Sequence, residues 1–181
     1  FQAGIDIEYS TLIFNRLVLS SAGLLSLKAT EIAPTACTAT LAGAGAGNVN
    51  TGTHSYKITF VTAGGETEAG AVSNTVTTTG GDGQVNLTAI PLGSFAVTSR
   101  NIYRTIAGNA VTGPWKLLAA IANNTATTYS DNTADASLTT TAPTTNTALD
   151  NRLTMNNAGL LTLSGALAVN GAVTLGDAAG D

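Results

Sequence analysis

The sequence predicts an all-β protein, a globular β-sandwich set between two copies of a repetitive strand motif. Three observations predict it. The chain holds 31 Thr and 20 Gly but only 10% charged residues, against ~25% in an average soluble domain. Thr fits a pleated surface, while Gly and Asn favour the tight turns between strands. A thirteen-residue line, "NRLVLSSAGLLSL" at 15–27, returns as "NRLTMNNAGLLTL" at 151–163 with eight identities and mild exchanges elsewhere. Between the copies, short apolar-alternating runs recur with Gly, Asn and Pro separating them.

The totals narrow the function. A chain of 181 residues holds one domain with extensions, or two small units. A net charge of −4 with seven basic residues argues against nucleic-acid binding, which needs a clustered positive face. Arg100 and Arg104 are the nearest thing to a basic pair, and two charges make no patch. No apolar run approaches the ~18 residues of a membrane span, so no membrane insertion is expected. The chain opens on Phe1 without a signal pattern and stops at "GDAAGD", so both ends are expected to be cuts in a longer polypeptide. The single Cys37 cannot form an intrachain disulfide and is expected to be a small buried hydrophobe in a strand.

Residues 1–30 form the first strand segment. Ile5, Ile7 and Tyr9 alternate with Asp6, Glu8 and Ser10, and the first copy of the repeat follows. Residues 148–181 form the second. From Leu153 the odd positions are apolar or Gly except Asn157, and the even positions are small or polar except Leu160. Period 2 means one buried and one exposed face. A helix would scatter these residues, and its glycines would each cost ~0.8–1.0 kcal/mol relative to Ala. Gly165 and Gly171 divide the segment into short units, and Asn170-Gly171 is a tight-turn signal. Two or three short strands lack a core of their own, so the apolar face is expected to be covered by sister chains, most simply about a threefold axis. The interface residues on this reading are Leu17, Leu19, Leu25, Leu27, Leu153, Met155, Leu161, Leu163, Leu167, Val169, Val173 and Leu175.

Residues 31–147 form the insert. "TACTATLAG" is a short strand that runs into the bend "AGAGAG", and "GTHSYKITFVTAGGETEAG" is a strand ending in a Gly-Gly turn. Further strands are expected at "SNTVTTT", "GQVNLTAI", "SRNIYRTI", "WKLLAAI" and "ATTYSD". Seven short strands at this spacing indicate a sandwich of immunoglobulin or fibronectin type III kind. Its expected core is Tyr56, Ile58, Phe60, Val76, Val85, Leu87, Ile102, Tyr103, Trp115, Leu117, Leu118, Ile121 and Tyr129. "TADASLTTTAPTTNTALD" is expected to be a Thr-rich linker back to the repeat.

The run from "GTHSYKITF" through "SRNIYRTIAG" to "ATTYSDNTAD" resembles the fibronectin-III-like modules of bacteriophage virion proteins. "GALAVNGAVTLGDAAGD" is similar to the repetitive β-strand shafts of phage tail fibres and other virion appendages. The resemblance implies a non-enzymatic structural protein of the virion, located on an extracellular appendage. It would form a homotrimer, contact other virion proteins and take part in host attachment. The alternative is a bacterial or viral adhesin on a cell surface, whose sandwich binds host surface glycans and gains avidity by repetition.

The chain offers little for catalysis, and no cofactor, metal or catalytic residue is expected. His54 is the only histidine, so a nucleophile–base triad would have to be built on it. One His and one Cys leave too few ligands for a common zinc site. Glu66 and Glu68 could serve as paired carboxylates or Ca²⁺ ligands, but a solvated hairpin is the simpler expectation. Asp131, Asn132 and Asp135 lack EF-hand spacing and read as turn caps. "AGAGAGN" lacks the Lys-Ser/Thr of a nucleotide loop. Tyr103, Trp115 and Tyr129 could stack on sugar rings, but in a sandwich they read first as core.

Overall fold

The computed structural model describes residues 16–19, 25–43, 45, 47–155 and 161–163. In chain order the strands are β1 (Arg16–Leu19), β2 (Leu25–Thr30), β3 (Thr38–Leu41), β4 (Gly52–His54), β5 (Tyr56–Thr62), β6 (Gly65–Glu66) and β7 (Val76–Thr78). They continue with β8 (Val85–Thr88), β9 (Val97–Thr105), β10 (Trp115–Ile121), β11 (Tyr129–Asp131), β12 (Leu149–Met155) and β13 (Leu161–Leu163). One 3₁₀ turn spans Asp135–Ser137, and no α-helix occurs among the described residues. The chain is therefore all-β, as its Thr-rich, alternating sequence predicts.

Within the insert, one sheet has the order β10-β9-β5-β6 and another β11-β8-β3, with β4 and β7 as a separate pair. All strand pairs are antiparallel. Inward side chains of both larger sheets meet in a single apolar cluster. Cys37, Ala39, Val85 and Leu87 come from the β3–β8 side, and Tyr56, Ile58, Ile102 and Ile121 from the β5–β9–β10 side, an arrangement consistent with a β-sandwich. Each such aliphatic or aromatic side chain stabilises the fold by ~1.5–3 kcal/mol on leaving water.

Of the expected core, Tyr56, Ile58, Phe60, Val76, Val85, Leu87, Ile102, Tyr103 and Ile121 are buried. Trp115, Leu117, Leu118 and Tyr129 are only half-buried. In β10 a register shift between Leu117 and Ala119 interrupts the alternation, so no parity of that strand is fully inward. Cys37 is buried, as expected of a small hydrophobe, although it lies one residue before β3.

The Thr-rich stretch expected as a linker is part of the sandwich edge. The Leu117 amide donates to the Thr140 carbonyl, the Thr139 amide to Leu117 and the Ala142 amide to Trp115, with a bridge between Lys116 and Thr141. Threonine's strand preference explains this, because the segment supplies partners to an edge strand that would otherwise present unpaired backbone.

The two copies of the repeated line pair with each other. They build a four-stranded antiparallel sheet of order β1-β2-β12-β13. The insert leaves this sheet after β2 and returns to it in β12, so the two strands that carry it are neighbours.

Candidate functional site

Eight of the residues expected to mediate assembly lie in this repeat sheet, where the register orders them into rows. Leu17 faces Leu27, Leu27 faces Leu153 and Leu153 faces Leu163. Two positions away, Leu19 faces Leu25, Leu25 faces Met155 and Met155 faces Leu161. Between these apolar rows runs a third, Val18–Ser26–Thr154–Thr162. Adjacent rows of a pleated sheet belong to opposite faces, and Thr162 of the middle row is exposed. Eight of the twelve expected interface residues thus fall on two rows of one parity. The other four, Leu167, Val169, Val173 and Leu175, lie outside the described residues.

The hairpins β1–β2 and β12–β13 share one register. Leu17↔Leu27, Val18↔Ser26 and Leu19↔Leu25 become Leu153↔Leu163, Thr154↔Thr162 and Met155↔Leu161 at the offset of the repeat. A shift between Asn151 and Leu153 sets Arg152 outside the β2–β12 pairing.

A built joint couples this sheet to the sandwich. The Glu31 amide donates to the Ala148 carbonyl at 2.9 Å, and the Glu31 carbonyl accepts from Asn146 Nδ2 at 2.7 Å. The Glu31 carboxylate is buried and takes the Ser94 amide on Oε1 at 3.1 Å and the Ser94 hydroxyl on Oε2 at 2.6 Å. On the other side of the joint, the Thr147 amide donates to the Glu66 carbonyl, and Thr62 Oγ1 donates to the Leu149 carbonyl. Gly64 and Gly65 make this approach possible. A Cβ on Gly64 would overlap the Leu149 carbonyl, and Gly65, with φ +141°, packs its backbone onto Thr147.

The basic pair dismissed as too small for a patch is buried. Arg104 donates through Nη1 to Asp131 Oδ2 at 2.5 Å and to the Thr133 carbonyl, and through Nη2 to Asp135 Oδ1 at 2.6 Å. The Tyr56 hydroxyl donates to the same Asp131 oxygen at 2.9 Å. Burial, followed by the charge of Asp131, holds the Tyr56 phenol protonated far above its usual range. Asp131 Oδ1 caps the Thr133 amide, and Asp135 Oδ2 takes the Ala107 amide. Asn132 Oδ1 accepts from Asn48. The turn-cap reading of these residues therefore holds in part, and the carboxylate oxygens that Ca²⁺ would need are occupied. Among the described residues Arg100 has no carboxylate partner. Its guanidinium donates to the carbonyls of Pro91, Asn123 and Ala126, and burial lowers its pKa below the ordinary value.

His54 and Glu66 are similarly engaged. His54 is fully buried, with Nδ1 at 3.0 Å from the Thr105 carbonyl and Nε2 at 2.8 Å from the Asn50 carbonyl, tying β9 to the loop before β4. Glu66 and Glu68 do not converge. Glu66 Oε1 accepts from Asn101 at 2.9 Å, from Tyr103 at 2.7 Å and from Thr59, while Glu68 is exposed. Burial and the Glu66 hydrogen bond raise the Tyr103 phenol well above its usual range. Among the described residues no three His, Cys, Asp or Glu side chains gather as metal ligands.

A cleft of about 310 Å³ lies against β5 and β10, lined by Lys57, Glu68, Pro114, Trp115, Pro143 and Thr144 among others. The Lys57 ammonium sits 4.3 Å from the centre of the Trp115 ring. Of the three aromatic residues considered for sugar stacking, Tyr103 is buried and engaged by Glu66, whereas Trp115 lines this cleft. Tyr129 lines a second depression, of about 460 Å³, with Asn86, Thr88, Thr128 and Ser130. Trp115 is only half-buried, and the register shift further along the same strand, between Leu117 and Ala119, is not revealed by alternation alone. No protein family, characterised protein or solved structure matches the chain.

Proposed function

We propose that the chain is a non-enzymatic structural segment of a bacteriophage virion fibre or appendage. It forms a homotrimeric β-shaft that carries a fibronectin-III-like sandwich and supports attachment to the host. The observation that carries this reading is the repeat sheet. Two copies of one line occupy it with identical registers, which is how a motif behaves when it is meant to be added again along a fibre. The strand order β6-β5-β9-β10 in the larger sheet supports the fibronectin-III-like part of the reading. The hydrogen-bonded joint at Glu31 and Ala148 suits a knob held in fixed alignment on a shaft. Light scattering of the purified chain, with negative-stain micrographs, tests it. The expected species is a trimer with three sandwiches around an axis. A monomer at tens of micromolar would overturn the assembly on which the reading depends.

The second reading is an adhesin whose sandwich binds surface glycans. The Trp115 cleft favours it, since its lining combines an indole, one face of which Lys57 covers, with Glu68 and Thr side chains that can hydrogen-bond a sugar. A glycan array probed with the chain and with Trp115→Ala decides. Binding lost in the variant supports an adhesin, and an empty array leaves the cleft without that role.

A further inference from the structure

The repeat sheet contains, inside one chain, a template for how two chains would join. Its four strands run a, b, a′, b′, where β12 is the repeat equivalent of β1, and β13 the equivalent of β2. The inner junction is a b-to-a′ pairing, Leu27↔Leu153, Ser26↔Thr154 and Leu25↔Met155. Among the described residues, β1 and β13 each have one strand neighbour, so the outer edges are an a strand on one side and a b strand on the other. They are complementary by the same rule that forms the centre.

We propose that β13 of one copy pairs antiparallel with β1 of the next, in the register Leu163↔Leu17, Thr162↔Val18 and Leu161↔Leu19. This inference rests on the trimeric reading above and specifies the contact that makes it. Each new pair repeats an inner pair with the equivalent residues, so the interface requires no geometry that the chain does not already adopt. The contact is heterologous, since an a edge meets a b edge, and such contacts close into rings when the rotation between copies allows. Three copies of a four-stranded sheet close as a twelve-stranded ring. The rows Leu17–Leu27–Leu153–Leu163 and Leu19–Leu25–Met155–Leu161 then continue from each copy into the next. Such pairing also gives β1 and β13 the second strand neighbour that they lack among the described residues.

Site-directed cross-linking of the full 181-residue chain tests the register. Two double variants are made, Val18→Cys with Thr162→Cys and Leu17→Cys with Leu163→Cys. Successive antiparallel pairs alternate between hydrogen-bonded and closer, non-hydrogen-bonded sites, so one of the two has the spacing a disulfide needs. Within one chain β1 and β13 are three strand spacings apart, ~14 Å, too far for an internal bridge. Arg16→Cys with Thr162→Cys, displaced by two positions, is the out-of-register control, and the parent chain with its buried Cys37 is the background.

Mild oxidation should convert most of at least one in-register variant to covalent species that stop at three chains. The displaced control should give under about a tenth as much. A trimer by light scattering that cross-links in neither in-register variant overturns the strand pairing and leaves the trimeric reading standing. A monomer by light scattering that also fails to cross-link overturns both. A covalent ladder running past three chains overturns closure of the ring.

Discussion

In the sandwich, the inward positions of β9 read Arg100, Ile102 and Arg104; in the repeat sheet, a comparable row reads Leu17, Leu27, Leu153 and Leu163. The first is held by directional bonds to Asp131, Asp135 and five backbone carbonyls or side chains, each of which has one correct partner. The second consists of interchangeable aliphatic residues. A slip of two positions would put Leu opposite Leu or Met again, so the side chains of the repeat specify parity but not register. The register is anchored at the joint, where Thr30↔Leu149 is the last strand pair and Glu31 bonds to Ala148 immediately beyond it. The sandwich thus does more than decorate the sheet. Its joint fixes the alignment of β2 against β12, which the side chains of those strands leave open.

That contrast can be broken from either side. The largest effect is expected at the ion cluster. Arg104→Met leaves Asp131 buried without a cation and should cost ~3–5 kcal/mol in urea unfolding of the sandwich. Next is the joint. Glu31→Ala removes both Ser94 bonds and should cost ~1.5–3 kcal/mol, with faster hydrogen exchange at the amides of Glu31 and Ser94. An unchanged exchange rate there would mean that the joint is held by backbone contacts alone.

Alkaline pH provides a third test. Burial pushes the Cys37 thiol up to about 11, from a value near 9 when unfolded. Below pH 9 both states keep the proton and the native state has its full stability. Above it the unfolded chain ionises first, so stability falls until the native thiol ionises near 11. The loss is ~3 kcal/mol. Tyr56 and Tyr103, also raised, act in the same direction, so Cys37→Ala should flatten the decline without abolishing it. The smallest effect on the sandwich is expected from Leu163→Asp. Its unfolding midpoint should stay within ~0.5 kcal/mol of the parent, while light scattering shows assembly lost. A matching loss of sandwich stability would show that the two regions fold as one unit.

The strands and most of the sandwich core were legible because alternation is a local signal. Tyr56, Ile58 and Phe60 announce an inward face within five residues. Trp115, Leu117 and Leu118 could not be placed in the same way, because the shift in β10 breaks the period within the strand. Arg100 and Arg104 share the parity of Ile102, and "YSDNTAD" supplies two acids, so a buried pair was available to a reader who trusted parity over charge. The association of the two repeat copies had a visible cause in their wording. Its partner choice did not, since nothing in two similar lines says whether they pair with each other or with copies elsewhere. The Trp115 cleft depends on residues from 57 to 144, and no local pattern joins them.

The adjacency of β2 and β12 has one further consequence. Thr30 and Leu149 sit directly across from each other, so a two-residue hairpin such as Asn-Gly could replace everything between them and leave all four strands in place. The sandwich is therefore a cassette, lodged where an ordinary turn would be. A gene of this design could acquire, exchange or discard such a domain at this hairpin without rewriting the strands on either side, so that the strands and the inserted domain could evolve independently.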